Sequence, residues 1–167
     1  MTLQGLAELA ARIPGSGAVN DAALRGVSGR HVTAITESRP FLLAQIGAAL
    51  PPGQLTCVLT ASAREAEDLA AAVEAILGPG TAVDLPSWET LPHERLSPSA
   101  ETVGRRLSVL RRIAHRGATD DLRVVTAPIR TALQPIVHGL GDVGSRPKTD
   151  QLGAGLTLKS HAEQRTR

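Results

Sequence analysis

The stretch from Leu55 to Gly78 constrains the fold most, because a short apolar run, Leu55 to Thr60, passes straight into a well-punctuated helix. A nearly continuous run of that kind suits a strand buried in a parallel sheet. Ser62 can cap the following helix with its hydroxyl, and Glu65, three residues on, completes a capping box. Ala66, Leu69, Ala70, Val73, Ile76 and Leu77 then share one face, while Glu67, Asp68 and Glu74 lie mostly away from it. Gly78 supplies the stop.

The same strand and helix alternation extends in both directions. His31 to Thr36 has the alternation and β-branched content of a strand, and Pro40 opens an apolar helix to Leu50, ended by Pro51, Pro52 and Gly53. Thr81 to Leu85 reads as a third strand and Leu122 to Ala127 as a fourth, after which Pro128 starts a short helix that Pro135 ends or kinks. Upstream, Leu3, Leu6, Leu9, Ala10 and Ile13 recur at helical spacing until Pro14 and Gly15, and a flexible Gly and Ser linker is expected through about residue 29. The pattern predicts an α/β fold, a parallel sheet with helices on both faces and right-handed crossovers.

Composition narrows the functions open to such a fold. The 167 residues make one domain by length, and 42% hydrophobic residues suffice for a core. With one Trp, one Phe and no Tyr, that core is aliphatic, and reading single-stranded bases by aromatic stacking is disfavoured. Eighteen Lys and Arg against sixteen Asp and Glu leave +2, so bulk charge does not call for nucleic acid. The single cysteine, Cys57, excludes an internal disulfide and a multi-cysteine metal site; inside its apolar run it reads as a buried structural thiol. No apolar run reaches the length of a membrane span and no secretory signal opens the chain, so a cytoplasmic protein without a membrane partner is expected.

Between the third strand and the next helix lies a loop carrying the tryptophan, Trp88, and three prolines, Pro86, Pro92 and Pro98. A run this broken is neither strand nor helix, and a long ordered loop between regular elements usually serves a function or an interface. Ser99 can cap the next helix, in which Val103, Leu107, Leu110 and Ala114 lie on one stripe. Arg105, Arg112 and Arg116 point away from that stripe as a basic outer ridge, with Arg106 and Arg111 flanking it and laying their stems over the core edge. Such a ridge is either a solvated face or a contact for an acidic surface or a phosphate backbone. Trp88 has two readings as well, an anchor under its own loop or an interface hot spot. His93 and Glu94 can be posed as an acid and base pair or as loop-positioning groups, and no nucleophile stands beside them in sequence. The candidate interface is therefore Trp88, Glu89, His93, Glu94, Arg105, Arg112 and Arg116, with no catalytic, cofactor-binding or metal residue.

The residues Trp88, Glu89, Thr90, Leu91, Pro92, His93 and Glu94, then Ser97 and Pro98, then Thr102, Val103, Gly104, Arg105 and Arg106, carry a resemblance. The run from Leu85 to Arg112 resembles the N-terminal region of bacterial transcription-repair coupling factors, where a W-E-T-L-P-[HY]-[ED] loop precedes S-P, a spacer and a basic helix. That region is similar to the first domain of the excision-repair helicase UvrB. The resemblance implies a RecA-like fold with a degenerate phosphate loop, and a role in DNA repair, specifically transcription-coupled nucleotide excision repair. As a family, such factors displace stalled RNA polymerase, recruit UvrA and translocate on DNA with ATP. It extends from about residue 28 to Val143, and residues 144–167 read as an irregular or disordered tail after an N-terminal helix and linker over residues 1–27. A truncated or frameshifted fragment is the expectation, with UvrA, RNA polymerase and DNA engaged mostly through segments not in this sequence.

At the phosphate-loop position the chain reads Ala34, Ile35, Thr36, Glu37, Ser38, Arg39 and Pro40. A nucleotide-binding loop needs glycines to wrap phosphate and a lysine to neutralise it, whereas Glu37 repels phosphate. No ATP cofactor is expected in this chain; in the family ATP is bound elsewhere. Neither a D-E-x-H motif nor a phosphate loop occurs anywhere, and the five histidines are scattered without zinc spacing. The reading is a non-catalytic scaffold. The alternative is a nucleotide-dependent α/β enzyme with an unorthodox phosphate site, in which Arg39 stands in for the lysine.

Overall fold

A computed structural model describes residues 3–29, 31–89, 97–115 and 120–136. Its elements are α1 (Gln4–Ala10), α2 (Ser16–Leu24), a 3-10 turn (Thr36–Ser38), α3 (Arg39–Ala49), β1 (Thr56–Thr60), α4 (Ala63–Leu77), β2 (Ala82–Asp84), α5 (Ala100–Ala114), β3 (Val124–Pro128) and α6 (Ile129–Leu133).

β3 takes the centre: among the described residues the sheet is three-stranded and parallel, in the order β1-β3-β2. Thr56 stands opposite Val124 and Thr60 opposite Pro128 on one side, and Ala82 opposite Val124 on the other. All five β3 residues are buried. Because side chains alternate across a strand, Val124 and Val125 enter different layers. Val124 joins Ala44, Val73, Ile76 and Ala82, with Phe41, Leu43, Val58 and Leu77 packed around them. Val125 and Ala127 join Leu85, Val109 and Leu122, flanked by Val83, Leu110 and Ile113. α3 and α4 therefore cover one face and α5 the other. Apart from Phe41 both layers are aliphatic, as composition requires.

α4 forms as its sequence predicts. Ser62 Oγ accepts the Glu65 N–H at 3.1 Å, and the Glu65 carboxylate reaches back to the Ala61 N–H at 3.2 Å, one residue before the position of an ideal capping box. At the far end Gly78 turns the chain at φ 116°, a conformation closed to most L-residues. On the inner side, Thr126 Oγ1 donates to the Ala66 carbonyl at 2.7 Å, which ties the central strand to this helix.

Four expectations are corrected. Residues 31–35 form no strand and are exposed, and among the described residues nothing pairs with them; alternation makes a backbone fit for a sheet without supplying a neighbour. The expected linker is largely helix α2: Gly15 turns at φ 92°, and the buried Ser16 hydroxyl caps carbonyls at Ala11 and Ile13. Leu6, Leu9 and Ile13, whose helical spacing marks the apolar face of an amphipathic helix, are about half exposed or more, because the segment is held through the Leu3 N–H on the Ala75 carbonyl, just before α1, and through buried Ala10. Cys57 is exposed rather than buried. It shares the outer face of β1 with Leu59, 49% exposed, because β1 is an edge strand and the α5 layer lies over β2 and β3. Residues 144–167 lie outside the described residues.

Candidate functional site

β2 delivers the chain into the tryptophan loop, and the Leu85 N–H still donates to Thr126 of the central strand at 2.8 Å. Beyond it, the Trp88 backbone is clamped by the side chain of Gln134, at the end of α6. Its N–H donates to Gln134 Oε1 at 2.8 Å, and Gln134 Nε2 donates to its carbonyl at 3.3 Å. The Trp88 side chain is half-buried, and the Arg106 guanidinium sits over the ring, 4.3 Å from its centroid. The ring is thus an anchor within its own loop, held by a cation against its negative face.

Arg106 is the largest departure from the sequence reading. It does not flank the core edge; it is fully buried, and Nη1 donates to the Pro86 carbonyl. Among the described residues its Nε and Nη2 have no hydrogen-bond partner, and burial pushes the guanidinium pKa down. The buried stripe of α5 is Thr102, Arg106 and Val109, with Val103, Leu107 and Leu110 half-buried beside it and Ala114 exposed. The spacing 102, 106, 109 is helical, but two of its three members are polar, so hydrophobic periodicity could not reveal it.

Glu89 is spent on the start of the same helix. Its carboxylate accepts the Ser99 N–H at 3.1 Å, the Ser99 hydroxyl at 3.0 Å and the Thr102 hydroxyl at 2.6 Å, while Ser99 Oγ caps the Thr102 N–H at 3.2 Å. The Thr102 hydrogen bond, followed by those from Ser99, holds the Glu89 carboxyl below its ordinary 4.5. A depressed carboxyl pKa contributes stability above the unfolded value and loses it as pH falls through the folded one. The start of α5 should therefore loosen on acidification below about 4.5, seen as a loss of protection of the Ser99 and Thr102 amides relative to their intrinsic exchange rates. Glu89→Gln should exchange faster at neutral pH and lose that acid step; an unchanged step in the variant would assign it to another group.

Two of the ridge arginines, Arg105 and Arg112, are engaged within the chain. Arg105 Nη2 bridges Asp84 at 3.0 Å and Glu67 at 3.2 Å, and the Asp84 charge is the main cause of its raised pKa. Arg112 Nη2 donates to the Gly80 carbonyl and to Asp120, both at 2.8 Å. These bonds staple α5 to the end of β2, to α4 and to the turn before β3. His93, Glu94 and Arg116 lie outside the described residues.

At the phosphate-loop position, Ala34 lies outside any element, Ile35 is extended, Thr36 to Ser38 form the 3-10 turn, and Arg39 opens α3. Arg39 Nη1 meets Glu65 Oε1 at 2.9 Å, so the one basic group there is paired with the carboxylate at the start of α4. Thr36, Arg39, Pro40, Ser62, Arg64, Glu65 and Asp68 surround a shallow hollow of about 370 Å³ that carries both signs of charge. Among the described residues no three His, Cys, Asp or Glu side chains gather as metal ligands, and no helix is long and apolar enough to cross a membrane.

No family model matches the chain. Over 90 residues, 50% of its length, it is 52% identical to the transcription-repair-coupling factor of Mycobacterium bovis. It has the same 52% identity over 90 residues with the transcription-repair-coupling factor of Mycobacterium tuberculosis. The chain spans 7% of the length of these relatives.

Proposed function

We propose that this chain provides a UvrB-like, RecA-like subdomain of a transcription-repair coupling factor and acts there as a non-catalytic scaffold in transcription-coupled nucleotide excision repair. The parallel α/β sheet agrees with that reading, and the pairing of Arg39 with Glu65 carries its non-catalytic part. A phosphate arriving at the start of α3 would have to displace a carboxylate from the only cation of that turn, with Glu37 beside it and no glycine nest to supply N–H donors. Contacts with UvrA, RNA polymerase and DNA belong mostly to other segments of such a factor. What this subdomain offers them is surface: Cys57 and Leu59 on the outer face of β1, with Leu133 and Ile136 exposed at and after α6.

A chimera tests the proposal. The aligned segment of the Mycobacterium tuberculosis factor is replaced by the matching residues of this chain, and transcription-coupled repair of a lesion in the transcribed strand is measured. A scaffold substituted by an equivalent one leaves the transcribed strand repaired preferentially. A soluble, folded chimera that loses this strand bias would contradict it.

A further inference from the structure

We infer that residues 31–35 are a strap that closes on the outer edge of β1 as a fourth parallel strand, and that the structure holds the strap in its open position. The Thr56 N–H donates to the Arg123 carbonyl, so Thr56, Val58 and Thr60 turn their backbone groups toward β3. Cys57 and Leu59 turn theirs outward, where no described strand pairs with them. Facing that edge, Val32 and Ala34 line a hollow of about 470 Å³ whose lining also includes Val58, Leu59 and Thr60 of β1 and Leu42 of α3. The open position leaves apolar surface wet: Val32 is 52% exposed, Ile35 72% and Leu59 49%. Closure buries part of that surface and gives the outward peptide groups of an edge strand their partners.

The connection suits a parallel pair, because α3 lies between the strap and β1 and a parallel neighbour is reached only by such a crossover. With 11 residues α3 runs about 16 Å, which matches the five residues of β1. The register follows from the far end. Arg39, at the start of α3, meets Glu65, in the first turn of α4, at an offset of 26 residues, and Thr36 shares a hollow with Ser62 at the same offset. Carried back along the strap, that offset sets Val32 beside Val58, Thr33 beside Leu59 and Ala34 beside Thr60. Val32 and Ala34 then face α3 with Val58, and Thr33 faces outward with Leu59. In this ladder Val32 donates to the Cys57 carbonyl, Leu59 to the Val32 carbonyl and Ala34 to the Leu59 carbonyl, while the Thr33 N–H points away. Closed, the strap caps an edge that could otherwise pair with another chain; open, it leaves the edge accessible. This inference goes beyond the scaffold proposal and does not depend on it, because the strap can be probed on the chain alone.

Disulfide trapping in the full chain tests the register. In a Cys57→Ser background, Thr33→Cys with Leu59→Cys places two thiols on one face of neighbouring strands, about 4.8 Å apart at Cα and within reach of a disulfide. Ala34→Cys with Leu59→Cys is the control, with its thiols on opposite faces. All four positions are exposed, so the core is untouched. Under oxidised glutathione the first pair should close within one chain at least about tenfold faster than the second. In the cross-linked chain the amides of Leu59, Val32 and Ala34 should then exchange about tenfold more slowly than in the reduced chain, with residue 33 unchanged. Equal rates for the two pairs would overturn the inference, as would a cross-linked chain without that alternation. A disulfide-linked dimer in place of the internal bond would overturn it too, by giving the edge to a second copy.

Discussion

Replacing Ile76 by Ala should lower the unfolding free energy by about 2–5 kcal/mol. Ile76 is 1% exposed on the inner face of α4, and among the described residues it is the largest fully buried apolar side chain. Its buried neighbours are Ala44, Val73, Ala82 and Val124, small or β-branched groups with little freedom to swing into a cavity. The loss should therefore combine the transfer term with most of a cavity term. Leu59→Ala is the matching control: with 49% exposure on the outer side of β1, it removes little buried area and should cost under about 1 kcal/mol. Urea unfolding, read as a shift in midpoint at unchanged slope, measures both. Equal effects at the two positions would mean that α4 does not seal the core face of the sheet.

The second large effect is expected at Gly47. This residue faces β3 so closely that an added Cβ would stand 3.0 Å from Val124 Cγ2 and 3.3 Å from the Arg123 Cβ. Neither is the loose end of a flexible side chain, and Val124 is fully buried, so the helix or the strand must shift. Gly47→Val should cost about 1–3 kcal/mol from overpacking, despite the general gain in helix propensity on leaving glycine. Gly104→Ala in α5 separates the two terms, since a Cβ there meets nothing within 4 Å. That variant should gain about 0.5–1 kcal/mol. If Gly47→Val were as benign as Gly104→Ala, α3 would not lie against the central strand.

What could be read from the sequence was what local chemistry writes. Ser62, Glu65 and Gly78 bound α4 because caps and stops act within one turn of the chain, and the Val124 to Ala127 run reports a central strand because both its faces are apolar. Residues 31–35 show where this ends. Their alternation suits a strand, but a strand is made by its neighbour, and none of the described strands lies beside them. The α2 segment was obscured by Gly15 and Gly17, although Gly15 is there to start the helix rather than to avoid one. At the candidate site, Trp88, Glu89 and the arginines were legible as a group, but their pairing was not. Ion pairs such as Arg105 with Asp84 and Glu67 span 21 and 38 residues, and the clamp of Gln134 on Trp88 spans 46. Arg106 was misplaced for a related reason: nothing in the sequence marks an arginine that goes inward to meet a ring and a carbonyl.

A titration of the chain with Mg-ATP, followed by calorimetry, tests the scaffold proposal most directly. With Arg39 held by Glu65 and Glu37 in the turn, no saturable heat should appear with a Kd tighter than on the order of 1 mM. Glu65→Gln releases Arg39 and serves as the sensitive control, and it too should stay silent if the missing glycine nest is what forbids phosphate. A wild-type Kd on the order of 1 μM would contradict the proposal and make the chain a nucleotide-binding domain with an unorthodox phosphate site.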